Sequence, residues 1–463
     1  MRLDESFTIM LDCVIRGGDV VTTSGRFEAD VAIENGKIAQ IGSDLSADAD
    51  EVIEAAGKLV LPGAIDPHTH VEWPDWEWEY GAKAGGRAAA AGGVTTFINF
   101  LAPDPENTLG DIDRMRAALE DQLVDTSMHV DIFTHGQVEE VEEYIDEGVT
   151  TFKLLLPYRG KETAAYDFEV NDTVAYNLME RLGDLDVDTH VLVHPENVEP
   201  SFYLKNELRE EYGEDVDRGE LWDQARPDFL EADAISRIML FAEETGCRTH
   251  FVHMSTAKGL RTFEANQPDM TTEVSAEIQI QHLTIDASEH GVEAKMNPPI
   301  RTAKEHEPLW EGLRSGSIEF VSSDHAPTAL EHKQNFWDAT VGIPGLQTWF
   351  PLLLTEVLDE GHLSVSKMVE VSSYNAAKRF QLTPRKGGLW PGADADIVVV
   401  DPDERTTVRA DELYDPSDYN LLEGRDLVFP ELTMSRGEII YQNGELLGEE
   451  GRSQFIERPV DEQ

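Results

Sequence analysis

From about residue 61 to residue 390 the chain alternates short apolar runs with longer amphipathic stretches, and this rhythm restricts its fold more than any other feature. Segments 95–100, 128–133, 151–156, 191–194, 248–253 and 320–324 read as strands. Segments 85–91, 108–123, 172–182, 232–245 and 364–372 read as helices. Recurrent β-α-β order over about 300 residues predicts a parallel sheet with helices outside it. A closed (β/α)8 TIM-type barrel is the expected form of this α/β chain. The stretch 206–228 is charged and broken by Gly and Pro, so it is expected to be an insertion on one loop.

The two ends follow a different grammar. Segments 8–15, 19–22, 30–33 and 38–41 read as short strands, with Asn35-Gly36 as a hairpin turn. Segments 396–400, 432–435 and 438–442 repeat the pattern, followed by Asn443-Gly444. Both ends are expected to build one small β-sandwich, with residues 1–60 as its first half and 391–463 as its second half and tail. Residues 61–390 are left for the barrel. A chain of 463 residues suits one large barrel plus a smaller domain.

Charge narrows the setting. With 91 acidic against 37 basic residues, the formal net charge is -54. The acids are spread through periodic segments such as 138–144, which reads as an acidic coat on folded helices rather than a tail. Self-repulsion on that scale is relieved by screening ions, so a salt-adapted cytoplasm is expected. Nucleic acid is excluded as a partner, because phosphates need cations. No apolar run approaches a membrane span and the N-terminus lacks a signal-peptide layout, so a soluble cytoplasmic protein is expected. Cys13 and Cys247 are too few for a disulfide framework or a Cys-based zinc site.

In such a barrel, chemistry sits at the C-terminal ends of the strands. Those ends carry His68 and His70, Lys153, His194, His253 and Asp324. His68 and His70, at i and i+2 on an extended segment, point the same way and can meet one cation; the alternative is a polar turn holding two histidines. A lone strand-end His more often caps a loop, and Asp324 alone is equally an N-cap. Their joint occurrence points to a metal site. Lys153 sits in the apolar run Phe152-Lys153-Leu154-Leu155-Leu156. Burial lowers an amine's pKa, and the free amine reacts with carbon dioxide to give a carbamate, an anionic ligand able to bridge two cations. The alternative is a buried Lys–Asp pair.

The chain resembles the cyclic amidohydrolases of the amidohydrolase superfamily, the group of hydantoinase/dihydropyrimidinase, allantoinase and dihydroorotase. The resemblance is carried by Leu61-Pro62-Gly63-Ala64-Ile65-Asp66-Pro67-His68-Thr69-His70, Gly92-Gly93-Val94-Thr95-Thr96, Phe152-Lys153, His194-Pro195-Glu196, Val252-His253-Met254-Ser255, Asn297-Pro298-Pro299-Ile300-Arg301 and Ser323-Asp324-His325-Ala326-Pro327. It implies two zinc ions per chain, or another divalent transition metal. His68, His70 and Asp324 would hold the first, His194 and His253 the second, and N6-carboxylysine at Lys153 would bridge them. By their context His190 and His250 are not ligands, and His325, next to Asp324, would stand behind the metal ligands. The implied reaction is ring-opening hydrolysis of a cyclic amide or ureide, with Asp324 as general acid–base. Tyr158 would donate to the oxyanion, or is a packing aromatic. Dimers or tetramers are common in the family.

For the ring itself the residues disagree. Tyr158 and the segment 418–424 are similar to hydantoinase/dihydropyrimidinase, whereas Asn297 and the segment 342–347 resemble allantoinase and dihydroorotase. Dihydroorotase-like enzymes place an Arg two residues after the second His to bind a substrate carboxylate; this chain has Glu72, which would repel one. Arg159 or Arg301 would have to compensate. Trp73, Trp76 and Trp78 point to an apolar lid or to packing of the β domain. A hydantoinase/dihydropyrimidinase-like enzyme is therefore expected, with allantoinase or dihydroorotase as alternatives and a catalytically inactive scaffold relative as the alternative of another class.

Overall fold

The computed structural model describes residues 11–45, 49–73, 76–158 and 170–458. One sheet contains eight parallel strands in chain order: β1 (Ala64–Thr69), β2 (Val94–Leu101), β3 (Asp125–Asp131), β4 (Thr151–Leu155), β5 (His190–His194), β6 (Thr249–Phe251), β7 (Val274–Gln279) and β8 (Phe320–Ser322). The seam between β8 and β1 is joined by single contacts rather than a ladder. Ser323 N–H donates to Asp66 Oδ1 (3.2 Å), Ser323 Oγ to the His68 carbonyl (3.4 Å) and His70 N–H to the His325 carbonyl (2.7 Å). The sheet is thus a nearly closed barrel with helices around it, as the alternation predicts.

β7 escapes the sequence reading. Val274-Ser275-Ala276-Glu277-Ile278-Gln279 alternates apolar and polar as a strand does, like the recognised segment 128–133, yet it is absent from the strands read above. Helices Ala257–Asn266, His306–Ser315 and Trp349–Asp359 were not anticipated either. The segment 206–228 lies in the connection between β5 and the helix Asp228–Thr245, where an insertion on one loop is expected. Much of it is helical, continuing Val198–Tyr212 and including Glu220–Ala225, and it buries Trp222 and Arg226.

Inside the barrel, Ile98, Phe100, Leu192, Val252 and Phe320 meet Ala376, Ala377, Phe380 and Ile456. Burying each large side chain contributes on the order of 2 kcal/mol. The tail enters from the start of β3, where Ile456 N–H donates to the Thr126 carbonyl. Packing therefore stoppers the N-terminal end, leaving the C-terminal end for a site.

Leu11–Thr22, Gly25–Glu34, Lys37–Gly42, Ala49–Glu54 and Leu59–Pro62 join Ile397–Val400, Leu432–Ser435, Glu438–Gln442 and Glu445–Leu446 in a separate nine-stranded sheet. The two chain ends meet where Val60 faces Val399. Asn35-Gly36 (φ 52° and 73°) and Asn443-Gly444 (φ 51° and 89°) make the predicted turns, with positive φ at both positions. Segments 8–15 and 19–22 are not two strands: Leu11–Thr22 is one, with its register shifted between Ile15 and Gly18, and residues 8–10 lie outside the described residues. Gly63 carries the chain from this sheet into β1. A Cβ there would stand 2.1 Å from Thr95 Oγ1, so the close approach needs glycine. No helix among the described residues is long and apolar enough to cross a membrane.

Candidate metal centre

β1 carries His68 near its C-terminal end, and His70 follows it. Asp324, two residues past β8, places Oδ1 3.2 Å from His68 Nε2 and 3.5 Å from His70 Nε2. One donor atom from each of the three lies within 4.8 Å of the others. A cation with bonds of about 2 Å can draw such a group together. His194 ends β5 and His253 follows β6; their ring centroids are 4.1 Å apart, and His253 is 5.5 Å from His68. The two groups are therefore neighbours. Lys153 on β4 holds Nζ 4.2 Å from the centroid of Phe100, and Phe100 also meets the rings of His68 (4.4 Å) and His70 (5.1 Å).

The electrostatics suit a cation. Burial holds the imidazoles of His68 and His253 well below their ordinary range and lowers His194 as well, keeping them neutral as metal ligands must be. His253 Nδ1 is buried without a hydrogen-bond partner. Burial lowers the Lys153 amine to about 8 against the opposing fields of Asp131, Asp324 and Glu277. Among the described residues no carboxylate comes within 4.0 Å of Lys153 Nζ, so none of them makes the direct Lys–Asp pair that the sequence leaves open. The donor set, of neutral imidazoles and a carboxylate with a buried amine beside them, fits a divalent cation.

His253 (φ 44°) and Asp324 (φ 50°) adopt left-handed backbone conformations. Such positions cost on the order of 1 kcal/mol each and concentrate at functional sites. Neither residue is glycine, so the sequence carries no sign of it.

Tyr158 lies at the same end, edge-on to His194 at 6.1 Å, with its hydroxyl 3.5 Å from Asn297 Nδ2. Asn297 Oδ1 accepts from Trp222 Nε1 (3.1 Å), so the segment first read as a loop insertion helps hold this wall. Arg226 from that segment pairs with Glu196, whose oxygen is 3.4 Å from His194 Nε2. Burial raises the Glu196 carboxyl, but Arg226 and His194 outweigh it and hold it at about 2. Glu72 is half-buried and accepts from Asn99 Nδ2 at 3.0 Å. Arg301 is occupied by Asp223 (2.8 Å) and Ser255, and Arg159 lies outside the described residues.

Trp73 and Trp76 donate to the carbonyls of Val341 and Pro327, while Trp78 stacks on Arg114, so all three avoid the core of the end sheet. His325 Nδ1 accepts from the backbone of Gly345 and Leu346. His190 faces Arg379, and His250 faces Ser275 and Glu277. Three buried polar residues were not anticipated. Asp131 is the register partner of Lys153 and is pushed up to about 7, chiefly by burial. Glu277 contacts His68 Nδ1, and burial raises its carboxyl while Lys153 pulls it back. Gln279 ends β7 with both amide atoms buried and unpartnered.

Known proteins resemble this chain over nearly its whole length. The chain is 31% identical over 461 residues to the L-hydantoinase of Paenarthrobacter aurescens, covering 97% of this chain and 98% of that one. It is 34% identical over 458 residues to the allantoinase of Rubrobacter xylanophilus, covering 95% and 97%. The solved structure of the L-hydantoinase (dihydropyrimidinase) from Arthrobacter aurescens superposes with a TM-score of 0.89 at 29% identity, covering 97% of this chain and all (100%) of that one. The model of the amidohydrolase family matches residues 59–425, a span holding all the strand-end residues described above, and the chain belongs to that family.

Proposed function

We propose that this protein opens a cyclic amide or ureide by metal-dependent hydrolysis, in the manner of a hydantoinase/dihydropyrimidinase. The observation that carries the reading is the convergence of His68, His70 and Asp324 beside the His194–His253 pair, with Tyr158 over His194. His68, His70 and Asp324 would hold one divalent cation, zinc or a similar transition metal, and His194 and His253 a second. Lys153 would bridge them as N6-carboxylysine: its neutral amine adds to carbon dioxide and releases a proton. When bound, the cations polarise a carbonyl and make hydroxide available near neutral pH.

The chain's own groups do the rest. Asp324 takes the proton of the attacking water and returns it to the departing ring nitrogen. Tyr158 donates to the carbonyl oxygen as negative charge develops, and Asn297 holds the tyrosine hydroxyl in range. Glu72, near His70, disfavours a substrate that carries a carboxylate, and Arg301 is already paired. That ranks dihydroorotate last. Allantoin is the second reading, favoured by Asn297 and by the 34% identity to an allantoinase. On the same reading the protein works as a homo-oligomer, dimer or tetramer, in a salt-adapted cytoplasm.

The test is a substrate panel on metal-loaded protein in molar salt: hydantoins, dihydrouracil, allantoin and dihydroorotate. Turnover of a hydantoin or dihydrouracil above the others is expected. Preference for dihydroorotate overturns the ranking, and hydrolysis of none overturns the reaction class.

A further inference from the structure

We infer that Glu277 is a positioning residue of the metal centre, fixing the aim and tautomer of His68 through a buried chain that runs Ser275–His250–Glu277–His68. The inference rests on the metal-centre reading above. Alternate residues of β7 face the barrel interior, and three of them, Ser275, Glu277 and Gln279, are polar and buried. Ser275 Oγ is 2.7 Å from His250 Nδ1, His250 Nε2 is 3.4 Å from Glu277 Oε2, and Glu277 Oε1 is 2.5 Å from His68 Nδ1. Ser322 Oγ also donates to Glu277 Oε1 at 3.3 Å. Both carboxylate oxygens are thus engaged and the group cannot swing. His250 is held in turn, stacked on Phe320 at 5.1 Å with the planes 13° apart.

The consequence is chemical. A neutral imidazole has one N–H and one lone pair. A carboxylate at Nδ1 accepts the N–H there, which leaves the lone pair on Nε2, the atom 3.2 Å from Asp324 Oδ1. Outer partners of this kind also raise the basicity of the ligand they hold. Glu277 thereby commits His68 to present Nε2 to the cation. His250, which is no ligand, acquires a role as the support that orients the carboxylate.

The experiment titrates zinc, against a competing chelator, into metal-stripped full-length protein in molar salt, and records the melting temperature of each metal-free sample. For Glu277→Gln, one zinc per chain is expected to bind about 10–100-fold more weakly while the other is retained. The metal-free melting temperature should stay level or rise, because a buried carboxylate has been removed. Ser275→Ala, at the far end of the chain of contacts, should weaken the same zinc by a smaller factor. Unchanged affinity in Glu277→Gln overturns the inference, as does a loss of affinity accompanied by a matching loss of metal-free stability. Should Glu277→Gln fail to fold, unchanged zinc affinity in Ser275→Ala overturns it. Wild-type protein that takes up no divalent metal overturns the metal-centre reading itself, a result distinct from equal binding by wild type and variant.

Discussion

Asp324 Oδ1 stands 3.2 Å from His68 Nε2 across the seam where β8 meets β1, the last and first strands of the barrel. Ser323, next to Asp324, donates to Asp66 across the same seam. Closing the barrel and assembling the His68–His70–Asp324 group are therefore one structural event. A chain that failed to close would have neither.

Asp324→Asn separates proton transfer from folding. Asn keeps the shape and tolerates the left-handed backbone at this position, where φ is 50°. Turnover should fall by about 10²–10⁴ with little change in the melting temperature of metal-free protein. Ring-opening rates and thermal melts measure both. A variant keeping more than about a tenth of wild-type turnover would remove Asp324 from the proton transfer.

How much of this was legible depends on where each residue sits. His68, His194, His253 and Asp324 end or follow apolar runs that read plainly as strands, and Lys153 is conspicuous within one. Glu277 and Gln279 are not legible in the same way, because β7 holds no histidine or lysine that would single out its polar positions. Asp131 is hidden by abundance: among 91 acidic residues, a buried carboxylate has no local mark. Trp222 and Arg226 lie in a charged stretch that resembles an exposed loop, and only tertiary packing brings them to Asn297 and Glu196. The barrel and the end sheet were readable from periodicity and turns, whereas the supports of the site depend on contacts between distant segments.

Gln279→Leu should stabilise the metal-free protein. Both amide atoms are buried without partners, and an unmet buried group costs about 1–3 kcal/mol. Leucine of similar volume removes that cost. The melting temperature of metal-free protein should rise by about a degree or more. A fall would show that the amide has a partner in the folded protein.

Acid should destabilise the fold through buried neutral histidines. Burial lowers His282 to about 3, and its ring lies against the carbonyls of Pro298 and Pro299. Below its ordinary pKa of about 6.5 the unfolded chain binds a proton that the folded chain refuses until about pH 3. Stability is therefore lost as pH falls through that window, by about 1.4 kcal/mol per pH unit for this group, and is unaffected above it. His282→Gln should flatten the slope between pH 6.5 and 4 in denaturant titrations. An unchanged slope would exclude His282 as a source.

Salt should stabilise the protein. A net charge of -54 repels itself, and the repulsion reaches further in dilute buffer than at molar ionic strength. The melting temperature should climb between low and molar potassium chloride. A flat response would contradict the salt-adapted reading.

The most direct test of the metal-centre account is elemental analysis of folded protein purified in high salt with zinc supplied. The account predicts about two zinc ions per chain, as a two-metal site requires. In Lys153→Met the count should drop, because the bridging group is gone. Folded wild-type protein that holds no zinc or other divalent metal would contradict the account.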